Sequence, residues 1–328
     1  MRRIAVGLIG AGKHGRRYAM HAQRDVPELE LVALARRDAA AGRAQAAELD
    51  CRFHADWRDL VADAAVDAVV AVVPPTLHRD IAAAVAGAGK PLLIEKPLAT
   101  TGGEAADVVR LVRAAGIPCL MGHTLRWNVV VREIAARLPA LGRLHALALN
   151  QRFEPSSLRW LDDPTVSGGG MVLHTGVHAF DLVRLLTGRE VRRVWCRTAR
   201  VETRRTEDNF QAFLELEGAA TLVCVSGSRS TRGRSGLIDA AGDAGQLVGD
   251  HALGFAYGVE GLVRTPIPLP EAAPTVREAL RAFAALVLDG TPPPVAIEDG
   301  ARAVLIAEAC LRAAAAGGGP IAVPPLAA

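Results

Sequence analysis

The sequence has few features of a secreted or membrane-spanning protein. No apolar run reaches the ~18 residues that span a bilayer, and the charged start at Met1–Arg3 is followed by no signal-peptide cleavage pattern. The five cysteines are odd in number, widely separated and without a C-x-x-C pair. This pattern excludes a disulfide framework and a cysteine-rich zinc site, and it favours a reducing, cytoplasmic compartment. The cysteines are Cys51, Cys119, Cys196, Cys224 and Cys310.

The sequence also lacks an excess of charge of one sign. Its 328 residues include 38 Lys and Arg against 35 Asp and Glu, a net charge of +3. So small an excess predicts neither a nucleic-acid partner nor a membrane partner. The densest basic stretch, "SRSTRGRSG", contains Arg229, Arg232 and Arg234 without aromatic residues, and we interpret it as a solvated loop. The length and the hydrophobic fraction of 50% are typical of a globular protein of two domains.

Short apolar runs alternate with helical stretches in the first 120 residues. The runs are nearly continuously apolar, as is typical of strands buried on both faces, and they cover residues 3–10, 29–35, 66–73, 91–95 and 117–121. Candidate helices lie between them at 13–24, 38–49, 77–88 and 101–115. This alternation predicts an α/β domain over residues 1–122, a Rossmann domain with a parallel sheet and right-handed crossovers.

A glycine-rich loop connects the first predicted strand to the first helix. Gly10, Gly12 and Gly15 form a G-x-G-x-x-G pattern, with Lys13 and His14 inside it. This pattern in this position predicts a dinucleotide site whose pyrophosphate lies at the helix N-terminus. The alternative is a glycine-rich turn that binds no ligand.

The acidic residue that favours NAD is missing at the end of the second predicted strand. Arg36 stands in its place and Arg37 follows. A guanidinium pairs with a 2′-phosphate, which a carboxylate repels, so we predict that NADP is preferred over NAD. The alternative is that both arginines are solvated and that Asp38 turns inward.

The stretch "GGGMVLHTGVHAFDL" at 168–182 contains two histidines four residues apart. On a helix, His174, His178 and Asp181 would share one face. A zinc peptidase helix needs H-E-x-x-H, but here Thr175 follows the first histidine and the glutamate is absent. We therefore predict no metal here, and plain helix packing remains the alternative to a proton-transfer site.

The pattern changes from about Gly122 onward. Predicted strands at 144–153, 191–201, 209–218, 219–229 and 236–242 partly alternate apolar and polar residues, as in a sheet with one covered face. Tight turns at "EGAA" and "AGDAG" favour antiparallel neighbours. With late helices at 274–289 and 298–316, residues 123–328 are predicted to form an α+β domain with a mainly antiparallel open sheet.

Several motifs together resemble the Gfo/Idh/MocA family. These are "VVPPTLH", "KPLLIEKPLA" and the glycine triplet followed by G-x-H-x-x-D, and the glycine loop agrees with them. The resemblance covers essentially the whole chain. It implies an NAD(P)-dependent dehydrogenase or reductase that transfers hydride to or from a secondary alcohol carbon of a sugar, sugar derivative or cyclitol. It also implies a homodimer or homotetramer assembled through the C-terminal sheet. The alternatives are a glycoside-processing hydrolase with tightly held NAD and a non-catalytic dinucleotide-binding sensor.

The resemblance also assigns roles at the end of two strands. Pro74 and His78 match the loop that passes beside the nicotinamide ribose. Glu95 and Lys96 match the E-K-P turn, whose lysine is catalytic and precedes a cis proline, here Pro97. Lys96 also lies beyond the carboxyl end of a parallel strand, where ligands bind, and burial there would lower its pKa.

The remaining candidate residues lie in the second half of the chain. His178 matches the family's catalytic histidine, whereas His174 stands where the family usually has an acid. Arg126, in "GHTLRWN", is expected near both cofactor and substrate. The expected substrate contacts are Arg126, Arg152, Trp160, His174 and Asp181.

Overall fold

The computed structural model describes residues 3–327, so the first two residues of the charged start lie outside it. Two β-sheets organise this part of the chain. Within it, no helix has both the length and the apolar character needed to cross a bilayer.

The first sheet has six parallel strands, as the alternating pattern predicted. Their order is β3-β2-β1-β4-β5-β6, so the order reverses between β1 and β4. Ligands bind at such a reversal, outside the carboxyl ends of the strands. The strands are β1 (Ile4–Ile9), β2 (Leu29–Ala35), β3 (Arg52–His54), β4 (Ala68–Ala71), β5 (Leu92–Glu95) and β6 (Cys119–Gly122).

Helices connect these strands. The helix after β5 begins where expected, because the Thr101 hydroxyl accepts a hydrogen bond from the Glu104 N–H. The short elements β3 and α3 were not predicted. The helices are α1 (Gly15–Arg24), α2 (Ala39–Glu48), α3 (Trp57–Ala62), α4 (His78–Gly87) and α5 (Gly102–Ala115).

The second sheet has nine strands in the order β14-β13-β12-β11-β7-β10-β9-β8-β15. Neighbours are antiparallel except β7 and β10, which are parallel, so the prediction of a mainly antiparallel sheet is confirmed. The last four strands in chain order were not predicted. The strands are β7 (Leu144–Arg152), β8 (Val191–Ala199), β9 (Asn209–Leu216), β10 (Leu222–Ser228), β11 (Ser235–Gly242), β12 (Gly245–Asp250), β13 (Phe255–Glu260), β14 (Val263–Pro266) and β15 (Ile321–Ala322).

One face of the second sheet is covered by helices and the other is open. Phe180, on α8, is fully buried against Phe210 of β9, whereas Phe213 on the other face is 63% exposed. Helix α10 also contacts the first domain, because Glu308 accepts a hydrogen bond from the Gly102 N–H. The remaining helices are α6 (Val129–Arg137), α7 (Pro164–Ser167), α8 (Val177–Thr187), α9 (Thr275–Asp289) and α10 (Ile297–Ala315).

Candidate active site

The glycine loop has the shape that a dinucleotide requires. Gly10 has φ +94°, and a Cβ there would lie 2.1 Å from the Val72 carbonyl oxygen. A Cβ at Gly15 would lie 1.9 Å from the Gly10 carbonyl oxygen. At Gly12, by contrast, nothing lies within 4 Å, which leaves room for a ligand close to the backbone. Helix α1 begins at Gly15 with no acidic residue in its first turn, so its free N–H groups can receive a pyrophosphate.

Arg36 lies beside this loop without an acidic partner. Its Nη1 donates to the Gln45 side-chain oxygen at 3.1 Å and to the Ala11 carbonyl oxygen at 3.4 Å. Arg37 is exposed. Asp38 does not turn inward, because it is exposed and caps α2 by accepting from the Ala41 N–H. The cationic end of β2 is therefore available to a phosphate.

Glu95 connects the cofactor loop to the lysine that follows it. Its Oε1 accepts from His14 at 2.8 Å and from the Tyr18 hydroxyl at 2.6 Å, and its Oε2 accepts from the Lys96 backbone N–H. Burial alone would raise the pKa of Glu95, but the His14 contact and the Lys96 charge lower it to about 2. Glu95 is 3% exposed, so it acts as a buried anchor rather than a group that a cofactor would touch.

Lys96 lies at the carboxyl end of β5, and the expected cis peptide bond to Pro97 is present. Its Nζ donates to the His174 carbonyl oxygen at 2.9 Å. Burial lowers the pKa of Lys96, as predicted, the Glu95 charge opposes this, and the Arg229 charge adds to it. The lysine thus joins the Rossmann domain to the histidine segment.

The histidine segment is not a regular α-helix. A π-helical turn, Val172–Gly176, precedes α8, so His174 and His178 are not related by ordinary helical spacing. Such turns are frequent at functional sites. The glycine triplet approaches other parts of the chain rather than a cleft, since a Cβ at Gly170 would lie 1.9 Å from the Glu207 carbonyl oxygen.

His174 is held by the backbone. Its Nε2 lies 2.9 Å from the Ser167 carbonyl oxygen, which only accepts, so this nitrogen carries the proton. Burial and the Lys96 charge lower the pKa of His174 to about 3. The ring of Trp160 lies edge-on to it, with centroids 5.3 Å apart, so the structure does bring Trp160 to the site.

His178 lies among other cationic and potentially cationic side chains. Burial, the Lys96 charge and His123 lower its pKa well below the ordinary value. The rings of His178 and His123 are 5.8 Å apart, and sequence reasoning missed His123 because its motif pointed to Arg126 instead. Among residues 3–327, no group of three or more His, Cys, Asp or Glu side chains is arranged to hold a metal ion.

Arg126 and Asp181, both expected at the ligands, bind each other in the structure. The Arg126 Nε and Nη2 donate to the two Asp181 carboxylate oxygens at 2.8 and 2.5 Å. Arg126 also lies 3.2 Å from Asp299 and donates to the Pro294 carbonyl oxygen. Asp181 is 1% exposed, so its carboxylate is enclosed by this ion pair and does not face an open cleft.

Two further expected contacts are also wrong. Arg152 bonds Ser226 on β10 and alternates with the buried Gln151, so it lies on the sheet face opposite α8. His78 is fully buried and its Nδ1 donates to the Leu98 carbonyl oxygen, so it supports the E-K-P turn from behind. Burial lowers the pKa of His78 to about 4. Pro74 precedes a short 3-10 turn and is partly exposed, as a lining residue would be.

Arg229 reaches the site although the sequence placed it in a solvated loop. Its Nη2 donates to the Thr175 hydroxyl at 3.0 Å, and its charge lowers the pKa values of Lys96 and His174. The interpretation holds for Arg232 and Arg234, which are exposed, but it is wrong for Arg229. The available signal was its position as the last residue of a predicted strand, 219–229.

Comparisons with known proteins agree with this architecture. Residues 4–123 match an oxidoreductase family with an NAD-binding Rossmann fold, and residues 138–248 match the GFO/IDH/MocA C-terminal domain. The chain is 31% identical over 340 residues to inositol 2-dehydrogenase 1 of Saccharopolyspora erythraea, with 94% of each protein covered.

Solved structures share the complete fold. GenD2 from gentamicin A biosynthesis, in complex with NAD, has a TM-score of 0.88 at 25% identity, covering 99% of this chain and 97% of that one. Levoglucosan dehydrogenase, in complex with NADH and levoglucosan, has a TM-score of 0.88 at 20% identity, covering 99% of this chain and 100% of that one.

Proposed function

Because the chain belongs to the GFO/IDH/MocA family of oxidoreductases with an NAD-binding Rossmann domain, we propose that it oxidises or reduces a secondary alcohol carbon of a sugar, sugar derivative or cyclitol. The similarity to an inositol 2-dehydrogenase supports a polyol as substrate. When bound, the nicotinamide cofactor accepts or donates the hydride. The protein holds the substrate oxygen and moves its proton.

The observation that carries this proposal is the contact between the Lys96 Nζ and the His174 carbonyl oxygen at 2.9 Å. The half-buried ammonium, at the carboxyl end of β5, lies against the segment that bears His178. Glu95 connects the same lysine to His14 in the glycine loop. An acid–base group therefore lies directly beside the glycine loop proposed for the dinucleotide, and this proximity suits hydride transfer coupled to proton transfer.

In this proposal Lys96 and His178 handle the proton of the reacting hydroxyl. The pKa values of both side chains are lowered, chiefly by burial. A neutral His178 can accept the hydroxyl proton as the C–H hydride leaves, and it returns the proton in reduction. Lys96 hydrogen-bonds the same oxygen and stabilises its developing negative charge. Trp160 offers an apolar face to the sugar.

We also propose that the cofactor is NADP. The support is the end of β2, where Arg36 hydrogen-bonds only uncharged oxygens and Arg37 is exposed. Their positive charge is not neutralised locally, and a 2′-phosphate would neutralise it. A carboxylate at this place would have favoured NAD instead.

For the quaternary structure we propose a homodimer or homotetramer built on the open face of the second sheet. Trp195, Phe213 and Cys224 are paired across β8, β9 and β10, and Phe213 is 63% exposed. A row of apolar side chains on a sheet face favours burial against a second copy of the same surface.

The function is tested by a substrate screen. The purified protein is mixed with NADP⁺ and a panel of sugars, sugar acids, sugar nucleotides and cyclitols, and formation of NADPH is followed by absorbance. At least one polyol should be oxidised, and the Lys96→Ala variant should oxidise it far more slowly. Binding of NADPH without turnover of any compound, in either direction, would support the non-catalytic alternative.

A further inference from the structure

Arg229 is a half-buried cation that the proposed chemistry does not use. It follows the end of β10, where its backbone N–H donates to the Asp208 carbonyl oxygen. Its Nη2 donates to Thr175, but its Nε is buried and has no hydrogen-bond partner within residues 3–327. A buried guanidinium with an unused donor is costly unless another group satisfies it.

No carboxylate of the described chain neutralises Arg229. Burial and the nearby Arg234 both lower its pKa, and no acidic group opposes them. Arg234 itself is paired with Glu154 at 2.8 Å. Arg229 is therefore a cation without a counter-ion, in contrast to Arg126 and Arg184, which are bound to acids.

The acidic groups near the site are already engaged. Glu95 accepts hydrogen bonds from His14 and Tyr18. Glu207, which is mostly buried, accepts from the backbone N–H groups at 170 and 172. Asp181 and Asp299 bind Arg126. None of these carboxylates hydrogen-bonds the Arg229 guanidinium, whose side-chain partner in the described chain is the neutral Thr175 hydroxyl.

Lys96 and Arg229 are close to one another. Lys96 bonds the carbonyl oxygen of residue 174, and Arg229 bonds the side chain of the next residue, Thr175. The contacts run from His14 through Glu95 and Lys96 to these two residues. Arg229 thus lies at the end of this chain of contacts opposite the glycine loop, away from the proposed pyrophosphate site and beside the proposed proton-transfer site.

We infer that the substrate is a polyol acid, in which a carboxylate binds Arg229 while a nearby hydroxyl meets Lys96. This inference rests on the proposed function and specifies its substrate class. A carboxylate matches the planar fork of a guanidinium and can accept from Nε and a second N–H together. Oxidation then transfers the C–H hydride to the cofactor and the hydroxyl proton to His178, which leaves a keto acid.

The test measures binding and turnover separately. The NADP⁺-saturated protein is titrated by calorimetry with matched pairs, D-glucose and D-glucuronate, D-galactose and D-galacturonate, and with D-gluconate, myo-inositol and D-glucose 6-phosphate. At least one acid should bind about tenfold or more tightly than its neutral counterpart. Arg229→Gln should weaken binding of that acid by about 10- to 100-fold and reduce the acid-to-neutral preference to near one.

The control is Arg232→Gln in the same loop, since Arg232 is exposed, and it should behave as the parent. Arg229→Lys, which keeps the charge but not the fork, should recover part of the preference. The inference is wrong if no acid binds, if acids and neutral sugars bind equally, or if Arg229→Gln weakens both equally. If D-glucose 6-phosphate binds tightly and none of the carboxylates does, the carboxylate assignment is wrong and Arg229 binds a phosphate instead. If a sugar acid binds in a manner that depends on Arg229 but no alcohol is oxidised, the proposed function is wrong. The inference that Arg229 binds an anion would still hold.

Discussion

Lys96 donates a hydrogen bond from Nζ to the backbone carbonyl oxygen of His174, at 2.9 Å. The lysine therefore depends on the path of the chain at residue 174 and not on the imidazole there. The π-helical turn brings this carbonyl to the end of β5. This contact joins the two domains at the point where we propose that the proton is transferred.

The first prediction is that Lys96→Ala loses about 10²- to 10⁴-fold in turnover, because one positioned acid–base group is removed. Affinity for NADPH should stay within a few-fold, since Glu95 and His14 remain in place. Steady-state rates and a fluorescence titration with NADPH measure the two effects. Near-parent activity on the true substrate would show that Lys96 is not catalytic.

Lys90 provides the matched control for this variant. Its Nζ donates to the carbonyl oxygens of Val61 and Asp63, both at 2.7 Å, and it precedes the same strand at the opposite end. Lys90→Ala should therefore lower the melting temperature but keep the parent's turnover.

The second prediction is that the protein binds NADPH at least about tenfold more tightly than NADH. One charge-assisted hydrogen bond to the 2′-phosphate contributes ~1.5–3 kcal/mol, which corresponds to about tenfold or more in affinity. The double variant Arg36→Asp, Arg37→Ala should reverse the preference. Arg24→Ala, exposed at the far end of α1, is the control and should leave both affinities unchanged. Equal titration curves for both cofactors in the parent protein would contradict the proposal.

Local patterns predicted much of the fold. Continuous apolar runs marked five of the six parallel strands, and glycine spacing marked the loop at Gly10. The strand β3 and helix α3 were missed because they span three and six residues, too few for a periodic pattern. Strands β12 to β14 were missed because their only buried apolar side chains are Leu247 and Ala256, which leaves the apolar signal weak.

The site was harder to predict, because several of its side chains are positioned by contacts with residues far away in the sequence. Arg126 and Asp181 are 55 residues apart, and Arg229 and Thr175 are 54 residues apart. No local spacing predicts such pairs. Arg152 was misplaced because the sequence shows that strand residues alternate between faces but not which face α8 covers.

The third prediction concerns pH and stability. Burial lowers the pKa of His78 from 6.5 to about 4. Between these two pKa values the unfolded chain binds a proton at His78 that the folded protein does not bind. The free energy of unfolding is therefore highest above about pH 6.5 and decreases as the pH falls toward 4. This histidine should contribute about 1.4 kcal/mol per pH unit to the slope of the unfolding free energy in that range.

His78→Asn tests this slope, because the asparagine amide can still donate to the Leu98 carbonyl oxygen. Urea denaturation between pH 5 and 8 should give a smaller slope for the variant below about pH 6.5. Above about pH 7 the two curves should run parallel. The same slope in both proteins at low pH would show that His78 is not held neutral by the fold.

The fourth prediction concerns the open face of the second sheet. Phe213→Glu places a charge in the centre of the apolar row and should convert the oligomer into a monomer, as measured by light scattering during gel filtration. Val201→Glu, at an equally exposed position outside the row, should leave the oligomer intact. A parent protein that is already monomeric would contradict the proposed assembly.

The fifth prediction separates the roles of His174 and His178. The His174 Nε2 donates a hydrogen bond to the Ser167 carbonyl oxygen. His174→Ala removes that hydrogen bond but keeps the backbone carbonyl oxygen of residue 174, which accepts from Lys96. His178→Ala removes the proposed proton carrier. The first variant should retain measurable turnover, whereas the second should lose about 10²- to 10⁴-fold.

His174→Asn serves as the control for packing, because it can preserve a donor toward Ser167 and should lie between the parent and His174→Ala in melting temperature. The pKa values of His174 and His178 are both lowered, so both rings stay neutral when the pH is lowered through the range in which an ordinary histidine is protonated. Turnover by the parent protein should therefore not decrease in that range. Metal analysis of chelator-treated protein should find no stoichiometric metal and unchanged activity. If His174→Ala is as damaged as His178→Ala while its melting temperature is unchanged, the roles of the two residues are wrongly assigned, because loss of a backbone hydrogen bond alone does not abolish proton transfer.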